Sequence, residues 1–284
     1  MTSFSKHVAV SGCCKNLVSN TFRAAGNLAV LSVILPCAVA FAQSGENIYP
    51  TAPTSGGIIG LGIASLPKYQ GSDQTQIKGV PILEYHWSNG VFVGGENDTL
   101  VGFQCATLSK VQYGTALGID EGRKERRSSD LAGMGNVLTK AVLVSFVKAA
   151  VTDQFSLNAS VHIGSGNDNK GALLKLGAAY AIPLGSSAQL SFNAGATLAN
   201  DSYMENYFGV SASQARTSRY HAYIPSSGLR DVSVGMRLSY QIDQDWSVLA
   251  GVSSTSLAIA AKDSPLVRQT NSQKVLFGLA YSIK

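Results

Sequence analysis

Charge is scarce in this chain. Lys, Arg, Asp and Glu make up 14% of its 284 residues, against about 25% in ordinary globular proteins. Cysteine is nearly absent, with four residues, and only Cys105 lies beyond the N-terminal segment. That excludes an internal disulfide framework and a thiolate metal site in the rest of the chain. After residue 42 no apolar run approaches the 18 residues that a membrane helix needs. Histidine is sparse as well. His86, His162 and His221 follow that point, with no H-x-x-x-H or H-E-x-x-H spacing among them. No metal, cofactor or catalytic set is expected, and the chain is read as a non-enzyme.

What is present begins with a leader. Lys6, Lys15 and Arg23 precede an apolar run from residue 28 to 41, and Ala40, Phe41 and Ala42 end it. A basic head, an apolar core and an A-x-A site describe a secretory signal peptide over 1–42, cut between Ala42 and Gln43. Loss of its three cations lowers the formal charge from +5 to +2. The basic character therefore belongs to export, and nucleic acid is not expected as a partner.

The remainder alternates. In Val111–Asp120, Val111, Tyr113, Thr115, Leu117 and Ile119 share one face, and Gln112, Gly114, Ala116, Gly118 and Asp120 the other. A strand puts successive side chains on opposite faces, so such a segment meets two different media. The same pattern runs through 155–164, 174–182, 190–198, 232–242 and the C-terminal stretch. There Val275, Phe277, Leu279, Tyr281 and Ile283 oppose Gly278, Ala280 and Ser282. Nine to eleven residues is the length at which a tilted strand crosses a bilayer. A soluble sandwich also alternates, but its strands are shorter and its outer face is more charged.

Short connections near 88–90, 108–110, 152–154, 185–187 and 243–245 alternate with long ones near 67–76, 121–138, 164–171, 200–228 and 260–272. Outer-membrane barrels have this asymmetry, with tight periplasmic turns and longer outside loops. Read as one strand, 91–107 breaks the alternation. Divided at Asn97 and Asp98, it restores an even number. The pattern predicts an all-β fold, a transmembrane antiparallel up-and-down β-barrel of about twelve strands, with ten as the alternative. A short periplasmic segment, 43–56, would precede the barrel over 57–284, in the outer membrane of a Gram-negative bacterium. Trp87, Tyr180, Tyr240, Trp246 and Tyr281 suit interfacial girdles. Val275 to Ile283 would face lipid, and Gly278 and Ala280 a roomy lumen.

Polar residues on the inner face are Lys78, Glu84, Asp120, Lys175, Asp231 and Arg237, able to line a pore or to close it by pairing. Glu84 with His86, and Asn158 with His162, are read as lumen packing. The run Arg123 to Arg127 is read as a solvated loop, with lipopolysaccharide phosphate as the alternative ligand. The long segment after Asp201 concentrates Tyr203, Met204, Tyr207 and Phe208. Long ordered loops tend to be functional. These four form either a partner- or ligand-contacting loop or a plug folded over the barrel mouth.

Particular strings go further than the pattern. YQGSD at 69–73, PILEYHW at 81–87, DSYMENYFGVSASQA at 201–215, GLRD at 228–231, WS at 246–247 and DSPLV at 263–267 appear in this order. On them the chain resembles the MipA/OmpV family of outer-membrane proteins, the MltA-interacting group. The resemblance implies a scaffold that bridges a murein lytic transglycosylase and a penicillin-binding murein synthase. The alternatives are a narrow porin-like or stress-responsive permeability protein and, third, a barrel enzyme acting on envelope lipid or protein. It also implies insertion by the barrel-assembly machinery, and here the chain departs from the family: it ends in Ile283 and Lys284 instead of an aromatic residue.

Overall fold

A computed structural model describes residues 55–95, 98–106 and 110–283. The leader, its cleavage point at Ala42 and Gln43, and Asn97 lie outside the described residues. Twelve strands follow one another round a closed barrel, each paired antiparallel with its sequence neighbours. They are β1 (Gly56–Pro67), β2 (Thr75–His86), β3 (Val91–Gly94), β4 (Thr99–Ala106), β5 (Val111–Asp120) and β6 (Lys140–Ala150). The rest are β7 (Phe155–Ser165), β8 (Gly171–Leu184), β9 (Ala188–Ala199), β10 (Gly228–Gln241), β11 (Trp246–Leu257) and β12 (Asn271–Ile283). Closure comes from β1 on β12, in register from Gly57↔Ile283 to Ser65↔Val275. Closure leaves the sheet without a free terminal strand, the condition lipid imposes on a spanning sheet. No helix among the described residues is long and apolar enough to cross a membrane; the strands do so.

The two faces divide as the alternation requires. Ile59, Leu61 and Ile63 on β1, and Val275, Phe277, Leu279 and Tyr281 on β12, are exposed on the outside. Their alternates Ala64, Leu276 and Ala280 are buried inside. The expected room beside Ala280 is missing. Ala280 is 1% exposed, and a side chain added at Gly278 would meet Ile82 at 2.6 Å. The Ile82 side chain of β2, one strand beyond β1, fills the space over Gly278. Two apolar clusters occupy the interior, Ala64, Val80 and Leu276 in one, and Phe92, Ala116, Val142 and Val144 in the other.

The five girdle aromatics are all exposed, and all sit toward the short-turn end. Trp246 packs edge-on against Tyr281 at 5.2 Å, and Tyr180 Oη donates to Gln154 in the turn after β6 at 2.7 Å. An amphipathic ring at the headgroup level has this arrangement.

β3 and β4 are the short strands of the wall. β3 pairs with β2 only from Glu84↔Gly94 to His86↔Phe92, so residues 75–82 of β2 have no β3 partner among the described residues. Pro81 lies in this stretch, where the N–H it lacks leaves no ladder bond unmade. Lys78 instead reaches past the hairpin to Glu121, at the end of β5, at 3.4 Å.

The long connections are folded. Helix α1 (Asp201–Phe208) and helix α2 (Ala212–Thr217) occupy the β9–β10 loop, and α3 (Ile259–Lys262) the β11–β12 loop. Asn200 caps α1 by accepting from Tyr203 N. Ser211 and Gln214 close a capping box on α2.

Candidate functional site

The loop end of the barrel carries a roof. Tyr203, Met204, Tyr207 and Phe208 point from α1 into one cluster with Val137, Ala199, Ala260 and Ala261. Met204 and Phe208 are fully buried. All four side chains are buried in the roof, and Tyr203 and Tyr207 also line the space beneath it. Met134, Val210, Tyr220 and Leu266 make a second cluster from the same three loops. Polar ties join the loops further. Ser264 Oγ donates to Phe208 O at 2.6 Å, Gln214 Nε2 to Met134 O at 2.6 Å and Tyr220 Oη to Asp130 O at 2.9 Å.

Beneath the roof lies a cavity of about 320 Å³. Its lining is charged and predominantly cationic, with seven Lys or Arg side chains against three carboxylates. Asp120, Lys175 and Arg237 are among them. Lys175 Nζ meets Asp98 Oδ2 at 2.9 Å, carried inward by the turn between β3 and β4. Lys78 joins Glu121 on the rim. Asp231 is buried beside Arg230, and Arg230 also donates to Tyr203 Oη at 2.8 Å. Glu84 is the member of the expected set placed elsewhere. It bonds His86 Nε2 at 2.8 Å, and Gln104 Nε2 holds the other ring nitrogen at 2.7 Å.

The run from Arg123 to Arg127 is not a solvated loop throughout. Arg123 is 4% exposed and donates to Tyr207 O at 2.7 Å. Glu125 accepts from Gly133 N and Gly135 N at 2.7 and 2.9 Å. Gly122 turns the chain inward with φ +66°, and a Cβ there would lie 2.1 Å from Val137 O. Burial pulls the Arg123 guanidinium below its ordinary value. Burial also pushes the Tyr203 phenol up to about 12. Burial, with Tyr203 and Asp120 alongside, pushes Tyr207 up too. Tyr207 therefore stays protonated and donates to Asp120 Oδ1 at 2.6 Å.

Four buried side-chain atoms among the described residues have no hydrogen-bond partner in the protein: Asp120 Oδ2, Glu121 Oε1, Arg123 Nε and Ser165 Oγ. All four residues line this one cavity. Each such atom costs about 1–3 kcal/mol if nothing meets it. Sequence reading did not find Arg123, Asp98, Arg230 or Ser165. Arg123 was hidden in a charge run, and Arg230 is turned inward by a register shift between Leu229 and Asp231 that alternation does not reveal.

Ser160 Oγ and His162 Nε2 lie 3.1 Å apart on β7. No carboxylate is hydrogen-bonded to His162 among the described residues, so the pair lacks the third group that orients a catalytic base. Nor do three His, Cys, Asp or Glu side chains converge among them in a way that would hold a metal ion.

Comparison with known proteins places this geometry in context. The family model described as "MltA-interacting protein MipA" matches residues 59–283. Outer membrane protein Omp26La of Vibrio anguillarum is 29% identical over 147 residues, 47% of this chain and 55% of that protein. The chain thus spans about half the length of this curated relative. Among solved structures, the KdgM porin is similar at a TM-score of 0.44 and 12% identity, over 80% of this chain and 99% of that one. The NanC porin is similar at 0.43 and 10%, over 80% and 99%.

Proposed function

Because this chain belongs to the MltA-interacting protein MipA family, we propose that it works as a binding scaffold in the outer membrane. In this reading it holds a murein lytic transglycosylase beside a penicillin-binding murein synthase. The observation that carries the reading is the roof. Three loops bury Met204 and Phe208 over the barrel mouth, and apolar clusters narrow the lumen below. Such a barrel serves better as an anchored platform than as an open pore. Partners on the murein side would meet the tight turns, such as 151–154, 185–187 and 242–245, with the strand ends beside them. Export through a cleaved leader ending at Ala42, insertion by the barrel-assembly machinery and lipopolysaccharide around the loop end belong to the same reading.

A narrow channel is the second reading, favoured by the polar cavity under the roof. Two measurements separate them. Detergent-extracted protein should retain a lytic transglycosylase in pull-down, and the purified barrel should show little conductance in planar bilayers. Steady conductance with no enzyme retained would reverse the order. Mass spectrometry of the mature N-terminus should begin at Gln43.

A further inference from the structure

The four unpartnered atoms differ in kind, and that difference defines a ligand. Three of them lie within four consecutive residues. Asp120 uses Oδ1 to accept from Tyr207 Oη and Gly122 N, leaving Oδ2 without a partner. Glu121 uses Oε2 to meet Lys78 and Arg127 at 3.4 and 3.5 Å, leaving Oε1. Arg123 spends one terminal nitrogen on a carbonyl, has no carboxylate at ion-pair distance among the described residues, and leaves Nε. A buried guanidinium without a counter-ion calls for an anion. Ionised carboxylate oxygens only accept, so they call for hydroxyl or ammonium donors. Ser165 Oγ serves in either sense. The excess of cationic over acidic groups in the lining disfavours an ammonium, so the donors are hydroxyls and the ligand is a net anion. At about 320 Å³ the space is at the lower end of small-molecule pockets.

The geometry points to a binding site for a small polyhydroxylated carboxylate, a sugar acid of monosaccharide size. Its carboxylate lies on Arg123 and its hydroxyls on Asp120, Glu121 and Ser165. This site is independent of any partner protein at the periplasmic turns. A scaffold that carries it would sense a soluble acid on the loop side.

The test uses the folded full-length barrel in detergent, titrated calorimetrically with D-glucuronate, D-glucose and D-glucosamine. Glucuronate should bind about tenfold or more tighter than the other two, the effect of one lost bond to a charged group. Asp120→Asn keeps the acceptor for Tyr207 and converts the free acceptor into a donor. It should weaken glucuronate about tenfold, and Ser165→Ala by a smaller factor. Arg123→Lys should weaken it at least as much. Because Arg123 also holds the roof, heat-modifiability on gels must first show that this variant folds; the other two keep the test intact if it does not. Preference for glucosamine, equal binding of all three sugars, or no binding of any would overturn the assignment, the last meaning that water alone fills the cavity. Unchanged affinity in both Asp120→Asn and Ser165→Ala would overturn it too, by placing the ligand elsewhere.

Discussion

Leu279 and Ala280 are neighbours on β12 that meet opposite surroundings. Leu279 is exposed on the outer face, where arginine at the bilayer midplane costs about 2–4 kcal/mol. Ala280 is buried and paired with Gly60 on β1. Leu279→Arg and Ala280→Arg should therefore lower the folded fraction comparably, one through lipid and the other through overpacking. The faces are better separated at Phe192 and Asn193 on β9. Phe192 is exposed outward, whereas Asn193 lines the cavity. Phe192→Arg should lose most heat-modifiable protein and Asn193→Arg little. Equal loss from these two would contradict the assigned faces. At Gly122 the backbone requires a residue without Cβ. Gly122→Ala should cost about 1–3 kcal/mol, seen as an earlier urea midpoint.

At the scale of elements, the roof and the wall are held by different forces. Strands are locked by continuous ladders, while α1 is held by side-chain burial and a few loop bonds. Phe208→Ala removes a fully buried ring, a loss of about 3–5 kcal/mol in a packed core. The loss should appear as protease cleavage within 200–227 while the barrel still migrates as folded. Asp168, in the β7–β8 loop, tethers the same helix by accepting from Ser202 Oγ at 2.6 Å and Asn206 Nδ2 at 3.3 Å. The Ser202 bond is the main reason its carboxyl lies below the ordinary value, with the Lys170 amide contributing. A depressed carboxyl stabilises the fold above its unfolded pKa, about 3.9, and that support is lost as pH falls through the lower folded value. Hydrogen exchange over 201–208 should thus be flat from pH 7 to 5, after correction for intrinsic rate. Protection should drop below about pH 4. Asp168→Asn should remove the drop.

For the whole molecule, the decisive feature is closure at two levels. The sheet closes on itself through β1 and β12, and the loops close the mouth through two apolar clusters. The barrel should conduct poorly as isolated. Met204→Asp combined with Phe208→Asp, which places charge in the first cluster, should raise conductance severalfold without unfolding the wall. No change in conductance, with the roof shown to be loosened by proteolysis, would mean that the lumen itself is the barrier.

The sequence by itself determined the wall. Period-two alternation over nine or more residues, small residues on one face and short turns alternating with long loops fix strands, faces and parity. Each is a local consequence of the pleat and of lipid on one side. Even the division near Asn97 was legible, because only an even count returns the chain to the turn side. Tertiary structure decided what fills the barrel. Ala280 and Ser282 alternate identically whether the lumen is open or packed, since the period reports a face and not the distance to the opposite wall. Arg123 entered the interior because Gly122 turns it there and Tyr207, 84 residues away, offers its carbonyl. The convergence of Asp120, Glu121, Arg123 and Ser165 on one cavity joins one loop to two strands round a closed ring, and no local period encodes that meeting.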